Sequence, residues 1–95
     1  MINIVAKNIV KEGKIEEFKA LALKLIKESR KEEGCIEYNL YEDIKNSNIL
    51  TFIEKWKDEE AINLHNKSEH FTSIVPKLGE LLKTDSDVHL YKSVS

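Results

Sequence analysis

The chain predicts a single α+β domain of the split β-α-β, ferredoxin-like type, a four-stranded antiparallel sheet with helices on one face. Three observations predict it. Segments of period two and of helical period follow one another in the order β-α-β-β-α-β, and no repeat, linker or low-complexity tract interrupts them. Ninety-five residues are enough for one core and too few for two, so residues 1–95 are read as one domain. With 41% apolar and 34% charged residues the chain has the balance of a folded domain, not of a disordered one.

Each element follows from its pattern. Residues 2–11 are rich in Ile and Val, with Ile2, Ile4, Ala6 and Val10 alternating against Val5 and Ile9, which predicts a central strand apolar on both faces. After Glu12-Gly13-Lys14, the apolar positions Ile15, Phe18, Leu21, Ala22 and Leu25 recur at helical spacing, and Lys and Glu cover the opposite side to about Glu32. Gly34 is expected to end this helix in the left-handed conformation that glycine adopts without penalty. In residues 35–43, Ile36, Tyr38 and Leu40 alternate with Glu37, Asn39 and Tyr41, and Asn46-Ser47-Asn48 supplies the turn of a hairpin. Its second strand, residues 49–57, places Leu50, Phe52, Glu54 and Trp56 on one face.

Asp58 is suited to cap a helix running to about His65, and Ser68 to cap a further helical turn. Pro76 is expected to break the helical region 58–83 and leave an opening there, because it lacks an amide proton and clashes with the preceding turn. In the last strand Val88, Leu90, Lys92 and Val94 alternate with His89, Tyr91 and Ser93. With apolar positions on both sheet faces, the face away from the helices is expected to pack against a second copy, giving a homodimer through the sheet.

Charge and composition exclude several classes. A net charge of −2 with both signs interspersed gives no footprint for nucleic acid or an anionic membrane. The single cysteine, Cys35, has no intramolecular disulfide partner. The start Met-Ile-Asn-Ile-Val-Ala-Lys lacks the form of a signal peptide, and no apolar run reaches the roughly 18 residues of a membrane span. The cytoplasm is the expected location.

The chemistry-bearing residue types gather between Trp56 and Phe71, where the only Trp, two of three His and a Phe fall within sixteen residues. His65 and His70 are five apart, about 140° on an unbroken helix, so no zinc face and no metal is expected of them. As acid or base an imidazole needs little tuning, which makes both histidines catalytic candidates. Trp56 is read either as a stacking surface with an N–H to orient an oxygen, or as core. Glu54, sharing a face with two aromatics, would have its pKa raised by desolvation, or else pair with a lysine at the strand edge. Cys35 has no basic cluster or second thiol near it in sequence and is read as inert. His89 is placed at the sheet surface or the subunit interface. The three glycines are scattered and there is no Gly-x-Ser-x-Gly, so nucleotide cofactors and serine hydrolysis are unsupported.

Four segments taken together resemble the antibiotic biosynthesis monooxygenase (ABM) domain family across nearly the whole chain. They are Lys-Glu-Gly-Lys at 11–14 before a long helix, Gly34-Cys35-Ile36-Glu37-Tyr38, Phe52-Ile53-Glu54-Lys55-Trp56, and His65-x-x-Ser68-x-His70-Phe71. The resemblance implies a ferredoxin-like fold that dimerises through its sheets, with a pocket between sheet and helices in each subunit. It also implies oxidation of a quinol or polycyclic phenol by molecular oxygen with no cofactor, neither metal nor flavin. His65 and His70 would then be catalytic, with Trp56, Phe71 and Glu54 holding a small aromatic substrate. A haem-degrading branch of the same fold needs an axial His where this chain has Val75. A further branch processes a small signalling sugar phosphate, for which no concentrated basic pocket is present. Outside enzymes, the same cleft suits a non-catalytic dimeric binding module.

Overall fold

In the computed structural model, which describes residues 1–95, the elements are β1 (Ile2–Ile9), α1 (Ile15–Ser29), β2 (Cys35–Glu42), β3 (Ile49–Trp56), α2 (Glu59–Lys67), α3 (Glu69–Glu80) and β4 (Asp87–Lys92). The strands lie in the order β2-β3-β1-β4, each neighbour antiparallel to the next. This is the ferredoxin-like arrangement, with β1 inside the sheet as its two apolar faces predict. No helix is long and apolar enough to cross a membrane.

Helix α1 buries Phe18, Ala22, Leu25 and Ile26, one stripe at helical spacing. These side chains meet the inward residues of the sheet, Ile4 and Ala6 from β1, Leu50 and Phe52 from β3, and Tyr38 from β2, in one core. Removing that much apolar surface from water is the main stabilising term. Glu16 and Glu17 in the first turn and Lys27 in the last complement the helix dipole. Arg30 ties the helix end to β2, its Nε donating to the Tyr38 carbonyl at 3.1 Å and its terminal nitrogen to Asn39 Oδ1 at 2.7 Å.

Four boundaries differ from expectation. Strand β1 stops at Ile9, and residues 10–11 pair with the chain leaving α3: Val10 bridges Leu82, and Lys11 N donates to the Leu81 carbonyl at 2.8 Å. Helix α1 ends at Ser29, and residues 30–34 form turns. Gly34 is not left-handed, since only Gly13 has a positive φ, of 77°. Its requirement is spatial: a Cβ at Gly34 would overlap the Cβ of Ala61, so glycine lets α2 close onto this turn.

The fourth difference is the helix break, which falls at Ser68 and not at Pro76. Ser68 is extended, with φ −65° and ψ 153°, and serves both helices. Its hydroxyl donates to the His65 carbonyl at 2.6 Å and accepts from the Phe71 amide at 3.2 Å. Pro76 sits within α3. The helix tolerates it because the carbonyl it leaves unbonded, four residues back on Thr72, lies on the exposed face with Pro76, where water satisfies it. As expected, Asp58 caps α2, Oδ1 accepting from the Ala61 amide at 2.8 Å.

Coverage of the sheet is uneven. β3 alternates buried and partly exposed positions, whereas all six residues of β4 are exposed. The outward face carries Ile53, Tyr41 and Tyr91, all well exposed, and His89, whose Nε2 lies 2.7 Å from Asp87 Oδ1.

Candidate active site

Between the sheet and helices α2 and α3 lies a cavity of about 400 Å³. Leu25 of α1, Ile4 and Ala6 of β1, Phe52 of β3 and Phe71, Val75 and Leu78 of α3 give it apolar walls. Val88 and Leu90 continue the floor onto β4, and Asp85 and Ser86 stand beside them in the preceding segment. Its polar lining includes Asn8, Tyr38, Glu54, His65 and Asn66. Asn8 Nδ2 is engaged with the Ala6 and Leu50 carbonyls, both at 3.1 Å.

Glu54 points inward because the β3 alternation puts it on the helix side, and it is 6% exposed. One oxygen accepts from Trp56 Nε1 at 2.9 Å. Burial raises its pKa to about 7, with Trp56 and Tyr38 as polar neighbours pulling the other way and the Glu32 charge adding to the rise. The Tyr38 hydroxyl is held far above its ordinary pKa by burial first and by the Glu54 charge second.

His65 is 2% exposed and sits among aromatic rings at the edge of the cavity. Trp56 lies against one face with ring centroids 4.4 Å apart, Phe71 meets it edge-on at 5.0 Å, and Tyr38 at 5.5 Å. Its Nδ1 lies 2.7 Å from Glu32 Oε2, and its Nε2 is buried without a hydrogen-bond partner. Burial lowers the His65 pKa, and the Glu32 carboxylate opposes this. A carboxylate at Nδ1 places the proton there, leaving a lone pair at Nε2.

The same Glu32 oxygen lies 2.8 Å from His70 Nε2. The angular separation of the two histidines on an unbroken helix does not apply, because Ser68 separates them onto α2 and α3 and both turn back to Glu32. The three ligand-capable atoms lie within 4.8 Å of one another. His70 itself does not line the cavity, and neither does Trp56. Trp56 is fully buried with its N–H taken by Glu54, so it is core that supports Glu54 and His65, not a surface on which a ligand stacks.

Of the five residues singled out from the sequence, Glu54, His65 and Phe71 face the cavity, while Trp56 and His70 stand behind them. Glu32 went unrecognised: it sits in a charged run, Lys31-Glu32-Glu33, and meets histidines 33 and 38 residues away, with no local signal. Tyr38 was legible as one position of an alternating strand but not as part of the site. Burial first, and then the Glu32 and Glu54 charges, push the Cys35 pKa up to about 11.

Fold and site together define a class: a small ferredoxin-like α+β domain with an apolar cavity under its helices and an imidazole–carboxylate pair set in the wall. The sequence profile of the antibiotic biosynthesis monooxygenase family matches residues 1–77, and the chain belongs to that family. YcnE of Bacillus subtilis is 44% identical over 79 residues, 83% of each chain. A crystal structure of a conserved protein from Methanosarcina mazei Go1 superposes with a TM-score of 0.95 at 44% identity, covering 97% of this chain and 91% of that one. A crystal structure of an antibiotic biosynthesis monooxygenase gives a TM-score of 0.95 at 32% identity over 100% of both chains.

Proposed function

We propose that this protein is a cofactor-independent monooxygenase that oxidises an electron-rich aromatic, a quinol or polycyclic phenol, with molecular oxygen. The observation that supports this above the others is that His65 lines an apolar cavity with its Nε2 buried and without a hydrogen-bond partner. A planar ring lies between the sheet and α3, against Phe52, Phe71 and Leu78, in a volume ordinary for a small-molecule site. Its hydroxyl donates to Nε2, and His65 takes the proton as general base. Glu32 at Nδ1 holds the tautomer and stabilises the imidazolium that forms. His70, bonded to the same oxygen, is a positioning residue. Glu54, with a pKa near neutrality, donates to or accepts from a second substrate oxygen.

The substrate anion passes an electron to oxygen without a cofactor. For an anthrone-like substrate the balance is direct: a methylene carbon loses two hydrogens and gains one oxygen atom as a carbonyl, and the other oxygen atom leaves as water. The same reading takes a homodimer through the outward sheet face, where Ile53, Tyr41 and Tyr91 are exposed. At the position where a haem-degrading relative needs an imidazole, Val75 lines the cavity with methyl groups, so haem has no such ligand here.

The test is oxygen uptake by chelator-treated protein over a panel of quinols and anthrones. Turnover that exceeds that of His65→Ala supports the assignment. Binding of the same compounds with no turnover above the His65→Ala and His70→Ala controls would overturn it in favour of a binding module.

A further inference from the structure

We infer that Glu32, His65 and His70 form a site for a divalent transition metal of the zinc class, which holds His65 in the opposite tautomer from the one a base requires. Glu32 Oε2 is in contact with both His65 Nδ1, at 2.7 Å, and His70 Nε2, at 2.8 Å, and all three donor atoms lie within 4.8 Å. Two imidazoles and a carboxylate are a known donor set for zinc, with the fourth position left to water. Tetrahedral ligands about 2.0 Å from the ion stand roughly 3.3 Å apart. The carboxylate therefore retreats by about half an ångström, while the two ring nitrogens, now within 4.8 Å of each other, close to roughly 3.3 Å.

A second feature gives the ion a path. On the outer side of Glu32 lies a separate open groove of about 400 Å³ whose charged lining is Glu32, Glu33, Asp58 and Glu60 against the single Lys57. Four carboxylates to one ammonium concentrate cations at the only one of these residues that touches both histidines. Glu32 and His70 each keep 18% side-chain exposure, so the site opens to water on that side while His65 faces the cavity on the other.

The consequence lies across the imidazole. A metal on Nδ1 takes that lone pair and leaves the proton on Nε2, so the cavity is offered an N–H donor in place of an acceptor. A protonated phenol no longer finds a base, whereas an anion or carbonyl oxygen finds a partner. The site stands independently of the oxidation proposed above, because its binding test does not require turnover.

The experiment is competition for Zn²⁺ against a chromophoric chelator, with Co²⁺ spectra as a second reading, on the wild type, Glu32→Gln and His70→Ala. The expected result is one ion per chain, a Co²⁺ spectrum of low coordination number, and affinity reduced at least about tenfold in each variant. Imidazole ¹⁵N shifts of the wild type should move at His65 Nδ1 and His70 Nε2. Affinity unchanged in His70→Ala, whether or not Glu32→Gln weakens it, would place the ion on the groove carboxylates and overturn the proposal, as would ¹⁵N shifts that do not move at saturating Zn²⁺. Metal binding without any oxidation in the metal-free protein would leave this site standing and remove the monooxygenase reading alone.

Discussion

The cavity has two halves built from strands with the same alternation, and they end as opposites. On β3, Leu50, Phe52, Glu54 and Trp56 are all buried; a hydrogen bond joins the last two, and the Trp56 ring packs against Tyr38 and His65. On β4, Val88 and Leu90 face the same cavity but stay 50% and 55% exposed. Alternation decides which face a side chain takes, and coverage by other elements decides whether that face is dry. The packed half therefore carries the groups whose protonation must be controlled, and the open half offers the approach for a ligand.

The sharpest break of this contrast is kinetic. His65→Ala, in the packed half, should lower kcat by about 10²- to 10⁴-fold with little change in KM, while Leu90→Ala should act on KM. Equal kcat losses in the two variants would erase the division. Stability should divide likewise: Phe52→Ala is expected to cost about 3–5 kcal/mol by urea unfolding. Gly34→Ala, which forces a methyl into Ala61, should cost about 1–3 kcal/mol, a loss that Ala61→Gly in the same chain would partly restore.

The Glu54 carboxyl adds a pH signature to the packed half. Its pKa rises from 4.5 to about 7 on burial, so the folded protein holds this proton more tightly than the unfolded chain. The stability linked to it is full below about pH 4.5 and is lost as pH rises through about 7. Glu54→Gln should flatten that slope and gain on the order of 1–3 kcal/mol at pH 8, measured as the difference between unfolding curves at pH 5 and 8. The smallest effect belongs to the open half, where Leu90→Ala should cost under about 1 kcal/mol in the isolated protomer. A larger, concentration-dependent loss would mean that a partner subunit covers β4.

Element order, most strand faces and the capping roles of Asp58 and Ser68 were legible because each rests on residues within a few positions of one another; the exception is Ile36, 44% exposed, which a bulge between Cys35 and Glu37 takes out of the alternation with Tyr38. What was misread rests on distance. Gly34 looked like a helix stop, and its reason is Ala61, twenty-seven residues on. Pro76 looked like the break because its penalty is local, but with Thr72 and Pro76 both on the exposed face the lost hydrogen bond is offset by hydration. Glu32 reads as one carboxylate in a charged run, and only the folded chain shows that two histidines share its oxygen. For Trp56 the sequence left stacking surface and core both open, and burial selects core.

Ser68 also fixes a length. One residue ends α2 and starts α3, so the interval from His65 to Phe71 is a spacer whose count matters as much as its composition. Slipping the register of α3 by one position turns its side chains about 100° around its axis, which would carry His70 off Glu32 and Phe71 off the cavity wall. The exposed hairpin loop at residues 43–47 carries no such requirement and should accept insertions. Indels tolerated in that loop and excluded between 65 and 71 would mark the segment as one indivisible part of the machine.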